Sequence, residues 1–363
     1  MRQLRQLGLV LLGLALVGAQ GCRGLTPSAW LGKGPFQRED PNQLTPRKLG
    51  IIVNQRDPLS VQIGEYYQAR RDIPPENIIR VEFDPNQPVL AVSTFQTLWK
   101  TLQAQTPDRV QAYALTWAQP YRVGCMSITA AFTFGFDESF CAKGCKATAV
   151  SSYFNSPLAN PADTLQIRPT MTLAATSFDA ARELIERGIA ADGTHPPGTA
   201  YLMNTEDQAR TVRSALYPEI QAQLGSWFNM QVVDGNQLTG RLDVMFYFTG
   251  LAQVPGLDSN QYLPGAVADH LTSFGGRLTD SPQMSSLRWL EAGATGSYGT
   301  VVEPCNFPQK FPHPGVLMAH YMNGDTLIEA YWKSVLMPGQ GIFIGEPLAR
   351  PFIPEGDKWL ETR

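Results

Sequence analysis

The stretch Val244-Met245-Phe246-Tyr247-Phe248-Thr249-Gly250 decides the fold. Its apolar run shows no alternation, so both faces of the segment must be covered. It is short, rich in aromatic residues and closed by glycine, which suits a strand rather than a helix. A strand buried on both faces belongs in a sheet sandwiched between helix layers. Thr249-Gly250 then marks its carboxyl end.

Strands and helices alternate on both sides of it. Leu49 to Asn54 reads as a short apolar strand. Asp57-Pro58-Leu59-Ser60 makes a turn and a helix start, with Ile63, Tyr66, Tyr67 and Arg70 at helical spacing and Ile73-Pro74-Pro75 as the stop. Strands over 77–83 and 110–117 flank a helix over 93–104. Residues 170–176 and 199–205 are further strands. Between them, Phe178, Ala181, Leu184, Ile185 and Ile189 form one helix face. A helix carrying Ala209, Val212, Leu216 and Ile220 follows, kinked or restarted at Pro218. Strands over 230–234, 265–271 and 298–302, a capping box at Thr326–Glu329 and a strand over 341–344 complete the series. The expectation is an α/β protein of two subdomains, 48–165 and 166–363, with mainly parallel sheets flanked by helices. Residues 118–165 break the pattern and hold three cysteines. A long irregular stretch of this kind is an insertion or a functional element.

The amino-terminal segment addresses location. Arg2 and Arg5 precede an apolar run from Leu7 to Val17, and Gly18-Ala19-Gln20-Gly21 leads to Cys22. This is a secretory signal pattern, and the small residues before Cys22 look like a bacterial lipobox. The run is too short to span a bilayer, which takes ~20 residues. Residues 1–22 are therefore expected to be a lipoprotein signal, with Cys22 lipidated and holding the chain to a membrane. Residues 23–47, rich in proline, glycine and polar side chains, read as a tether. The expected location is the bacterial cell envelope, with the outer membrane as the default because Arg23 gives no aspartate-type retention signal.

Bulk composition narrows the rest. A formal charge of −3 with no Lys/Arg run gives no electrostatic case for nucleic acid. There is no P-loop, no G-x-G-x-x-G after the first strand, no H-E-x-x-H and no EF-hand pattern, so no cofactor is expected. The remaining cysteines are Cys125, Cys141, Cys145 and Cys305. An exported chain permits disulfides, and four cysteines allow three pairings. Cys141 and Cys145 are near enough to bridge locally. Free buried thiols are an alternative. A metal is a further one, although this pair is only half a zinc site and no metal is expected.

In open α/β sheets, ligands sit outside the carboxyl ends of the strands. Those ends are Thr249-Gly250, Asp269-His270 with Ser273, Glu303-Pro304-Cys305, and Gly345-Glu346-Pro347. All four are expected to face one crevice. Adjacent strand residues point to opposite faces, so Asp269 is poorly placed to orient His270. His270 and Ser273 read either as structural residues or as a base and a nucleophile, and Cys305 with His270 or His313 is another pairing.

Phe248–Ala252, Ala268–Gly276, Ala292–Cys305 and Gly345–Ala349 resemble an uncharacterised bacterial family found in genomes that encode exosortase sorting systems. The resemblance covers residues 48–352 and implies a link to that sorting, without an activity. A more distant similarity is to gingipain-type cysteine peptidases of the caspase-like fold. There, a strand ending in His-Gly corresponds to the one ending here at Thr249-Gly250. The next strand, ending there in the nucleophilic cysteine, ends here near Ser273. The resemblance implies two caspase-like subdomains, the second holding the site. Threonine is no base near neutral pH, and serine is a weak nucleophile without an activator. The expected function is therefore a membrane-anchored lipoprotein that binds an envelope protein or polymer in a crevice of Thr249, Gly250, Asp269, Ser273, Glu303 and Cys305. The alternative is a hydrolase or peptidase with a rearranged site built from Ser273 or Cys305 with His270.

Overall fold

The structure is a computed structural model, and it describes residues 43–142 and 144–354. The signal segment, Cys22 and most of the tether lie outside the described residues. The end of the tether belongs to the fold: Leu44 is buried, and a 3-10 turn at Pro46–Lys48 leads into the first strand.

In chain order the strands are β1 (Leu49–Asn54), β2 (Ile78–Val81), β3 (Val89–Leu90), β4 (Ala112–Leu115), β5 (Arg122–Val123), β6 (Met126–Ser127), β7 (Thr170–Thr172), β8 (Thr199–Asn204), β9 (Asn229–Asp234), β10 (Val244–Thr249), β11 (Tyr262–His270), β12 (Gly296–Thr300) and β13 (Gly341–Gly345). The helices are α1 (Pro58–Arg70), α2 (Val92–Gln105), α3 (Ile128–Phe134), α4 (Pro161–Leu165), α5 (Phe178–Ala191), α6 (Tyr217–Leu224), α7 (Leu287–Glu291), α8 (Pro314–Met322) and α9 (Leu327–Ser334). The α/β class with a mainly parallel sheet flanked by helices is what the chain forms.

The two expected halves share one ten-stranded sheet, in the order β2-β1-β4-β7-β13-β12-β11-β10-β8-β9. β7, placed by the sequence reading in the second subdomain, lies beside β4 and completes the first half. Within this sheet, among the described residues, only the β12–β13 contact is antiparallel. The strands β9, β8, β10, β11 and β12 therefore run one way, and β13, β7, β4, β1 and β2 the other. The carboxyl ends of the two sets lie at opposite edges.

This corrects the expectation of four strand ends around one crevice. Glu346, just after β13, emerges at the edge opposite Thr249 and His270. There it is fully buried, accepts from Tyr67 OH and pairs with Arg71, which also pairs with Asp192. Gly188 of α5 makes room for it, since a Cβ there would lie 2.5 Å from Glu346 Oε2.

Local chemistry explains the elements. Every residue of β10 is buried, as its unbroken apolar run requires. Asp57 caps α1 by accepting from the Leu59 amide, with Pro58 in the first turn where its missing N–H costs nothing. Ser177 caps α5, whose Ala181, Leu184, Ile185, Gly188 and Ala191 face inward. The helix expected around Pro218 is two pieces, a 3-10 turn over Thr211–Leu216 and then α6 with Pro218 in its first turn. The capping box at Thr326 and Glu329 is formed.

The segment after β4 holds α3 and, with β3, a three-stranded sheet in the order β3-β5-β6. It reaches the edge where β13 begins: Ser127 Oγ donates to the Gly341 carbonyl at 2.5 Å, and Tyr121 OH to Asp280 at 2.6 Å. Cys141 and Cys145 do not bridge each other. Cys125 pairs with Cys141 and Cys145 with Cys305, each with Cα atoms 5.5 Å apart. The second bridge fixes the insertion to the loop after β12.

Candidate functional site

The carboxyl edge of β8, β10, β11 and β12 gathers the sequence-derived candidates. β10 and β11 run in parallel register, with Phe248 beside Asp269 and Thr249 beside His270. Side chains alternate across a strand, so Asp269 and His270 face opposite layers, and their partners show it.

On one side, Asp269 meets Arg213 of the 3-10 turn at 2.6 Å, with both side chains essentially buried. Arg213 also donates to the Thr249 carbonyl at 2.8 Å, and its guanidinium lies 5.6 Å from the Phe248 ring centroid. Burial pushes the Asp269 carboxyl above its usual range, and Arg213 opposes that push. The carboxylate oxygens of Asp269 and Nε of Arg213 have no well-directed hydrogen bond.

On the other side, the His270 imidazole is fully committed. The indole N–H of Trp289 donates to Nδ1 at 2.9 Å, and Nε2 bonds the Met284 carbonyl at 3.0 Å. A carbonyl can only accept, so the proton sits on Nε2. Burial pulls the imidazole down to about 4, against the Met284 bond that raises it. His270 therefore serves neither Ser273 nor Cys305 in this arrangement, and Cys305 is held in its disulfide with Cys145. The candidate base and one candidate nucleophile are both engaged by other partners within the fold.

Thr249 is buried, with its hydroxyl unpartnered. Gly250 is required where it stands, because a Cβ would collide with the Arg210 carbonyl and the Thr211 amide. That close approach brings the turn after β8 over the end of β10.

Above these residues a small cleft of about 100 Å³ is open, lined by Ala209, Arg210, Leu271, Thr272, Ser273, Glu303, Pro304, Cys305 and Asn306. Ser273, Glu303 and Cys305 thus share one cleft, whereas Thr249, Gly250, Asp269 and His270, expected in the same crevice, are not among the residues that line it. Arg210 Nη1 pairs with Asp207 at 2.7 Å, and its Nε donates to Thr272 Oγ1 at 3.2 Å. Glu303 accepts from the Cys305 amide at 2.8 Å. Cys305 is left-handed, with φ of 54°. The cleft can offer a guanidinium, a carboxylate, a hydroxyl and an amide to a polar ligand. Among the described residues no group of three His, Cys, Asp or Glu converges on a metal position, and no helix is long and apolar enough to cross a membrane.

Arg210 and Arg213 were not among the sequence candidates. An arginine between Val212 and Ser214 reads as solvent-facing. Only the fold turns it against Asp269.

No family model matches the chain, and no curated protein matches it. Among solved structures, the complex of Porphyromonas gingivalis RgpB pro- and mature domains is similar over 84% of this chain and 79% of that chain, at 9% identity and a TM-score of 0.42. The Arg-specific cysteine proteinase gingipain R (RGPB) is similar over 88% and 80%, at 11% identity and a TM-score of 0.41. A structure described as a protease matches over 85% and 79%, at 8% identity and a TM-score of 0.43. Likeness at this level leaves the chemistry to this chain's own side chains.

Proposed function

We propose that this chain is an exported, lipid-anchored envelope protein, linked to exosortase-type sorting, that binds a partner protein or polymer without cutting it. The commitment of His270 carries this reading. Both of its ring nitrogens are engaged inside the fold, by Trp289 and by the Met284 carbonyl, next to a cleft that stays open. A hydroxyl needs a base within hydrogen-bond reach to become a nucleophile. The Cys145–Cys305 bridge removes the other candidate nucleophile while shaping the cleft wall. The lipid anchor rests on the sequence pattern around Cys22, and the sorting link on the family resemblance.

The test is labelling of the intact, unreduced protein with a fluorophosphonate and with iodoacetamide. Neither reagent is expected to mark Ser273 or Cys305. Fluorophosphonate labelling that disappears in Ser273→Ala would establish the hydrolase alternative instead. Intact-mass measurement of protein extracted from membranes tests the anchor. A chain beginning at Cys22 with added acyl mass is expected, and an unmodified mature chain would refute that part.

A further inference from the structure

β9 closes one end of the ten-stranded sheet, and among the described residues no strand pairs with its outer side. Its inner side is fully used: Asn229 to Asp234 run in parallel register beside Thr199 to Asn204 of β8. Just past the strand, the Gly235 amide donates back to the Asn204 carbonyl at 3.0 Å. Backbone groups alternate sides along a strand, so the amides and carbonyls of Met230, Val232 and Asp234 point away from β8. Such a row is a template for a further strand, and sheet edges are ordinarily blunted by charge or proline. β2, at the other end, has exposed Arg80 within it and exposed Glu82 just after it. β9 reads Asn229-Met230-Gln231-Val232-Val233-Asp234, with no lysine, arginine or proline. Its Val232 is 41% exposed, and Trp227 in the turn before it is 56% exposed. These are two of the four exposed large apolar side chains among the described residues, and both belong to this edge.

We propose that β9 pairs antiparallel with β9 of a second copy of this chain, about a two-fold axis normal to the sheet, so that two ten-stranded sheets join into one. The strand's own sequence selects this occupant and the register. Centred on Gln231, the pairing sets Gln231 beside Gln231 of the other copy and Met230 beside its Val232, so each exposed valine gains a methionine neighbour. The same register brings the turn at Trp227 alongside Gly235 of the other copy, where an added Cβ would meet nothing within 4 Å. An aromatic ring laid over a bare edge glycine is a stabilising cross-strand arrangement. Asp234 is the one formal charge of the strand, and it accepts from Asn204 of its own copy at 2.8 Å. The antiparallel offset holds the two Asp234 carboxylates about 20 Å apart, beyond the ~8 Å over which salt leaves charges visible to each other. Centring on Val232 would set Asp234 against Met230, and a parallel alignment would set the two carboxylates side by side. Once the β9 edges are joined, the outer ends are the β2 strands with their Arg80, so association stops at two copies. This surface is independent of the lipid anchor and of the binding-only reading, since neither involves β9.

The experiment is sedimentation equilibrium of the full chain from Cys22 onward, with Cys22→Ser so that acyl groups cannot drive association. Two short strands make a contact below the standard interface size, so a monomer–dimer equilibrium in the range of about 1–100 μM is expected. Val232→Pro removes an amide that points away from β8, and it is expected to leave a monomer whose melting temperature holds. Val232→Lys puts a charge on the same edge without restricting the backbone, and it is expected to weaken the dimer about tenfold or more. Gln231→Cys adds one free thiol to a fold whose four cysteines are bridged. Oxidation with copper–phenanthroline is expected to link it to its copy across the axis, and to link Val232→Cys far less. A chain that stays monomeric throughout that range, a dimer unchanged by both Val232 replacements, or cross-linking through Val232→Cys in preference to Gln231→Cys would overturn the proposal.

Discussion

Acidification should expose the buried, neutral state of His270. Its imidazole sits at about 4 in the folded chain against an ordinary 6.5. Below pH 6.5 the unfolded chain takes up a proton that the folded chain refuses until about pH 4. Stability is fully present above that window and is lost through it. At about 1.4 kcal/mol per unit, the gap is worth about 3 kcal/mol. Asp192 works in the opposite sense, because burial pushes it up to about 6 from an ordinary 3.8. The folded chain binds that proton first, so Asp192 adds stability as pH falls and partly masks His270. Comparison with His270→Gln isolates the effect. The variant loses the acceptor for Trp289 and is expected to start about 1–3 kcal/mol less stable at pH 7. The wild type then loses more on acidification, so the two converge by pH 4. The assay is urea unfolding from pH 7 to pH 4, with the His270 ring resonances followed by NMR. Parallel stability profiles, or a ring that titrates near 6.5, would refute the reasoning.

Breaking the Arg213–Asp269 pair by Asp269→Ala should cost about 3–5 kcal/mol in chemical denaturation, because it strands a buried guanidinium. The double replacement Asp269→Leu with Arg213→Met should recover most of that loss. Loss of the Cys145–Cys305 bridge, which spans 160 residues of sequence, should cost up to about 5 kcal/mol by chain entropy, against about 3 for the 16-residue Cys125–Cys141 bridge. Denaturant midpoints of the two paired-serine variants should rank in that order. Gly250→Ala should destabilise by about 1–3 kcal/mol and lower affinity in the polar cleft, because the turn at Arg210 must move aside. An unchanged melting temperature would contradict the close approach.

Much of the fold was legible locally. The burial of Val244–Phe248, the caps at Asp57 and Thr326 and the inward face of α5 follow from side-chain spacing and cap chemistry, which act within a few residues. The helix α3 was not legible, because Ile128–Phe134 is only seven residues long and nearly all of it is buried, so no polar face marks a helical period. The candidate site was half legible. Ser273, Glu303 and Cys305 do line one cleft, since strand ends in a parallel array share an edge.

What the sequence determined by itself was the ten strands of the large sheet, the helices α1, α2, α5, α6 and α9, and the polar residues that follow β11 and β12. The tertiary structure decided direction and pairing. One antiparallel contact between β12 and β13 sends Glu346 to the far edge, and distant cysteines meet only once the insertion has crossed to the loop after β12. The fold also turned Arg213 inward against Asp269 and closed Trp289 over His270. Such contacts join residues tens to hundreds of positions apart, and their energies depend on burial. Neither property is carried by local sequence pattern.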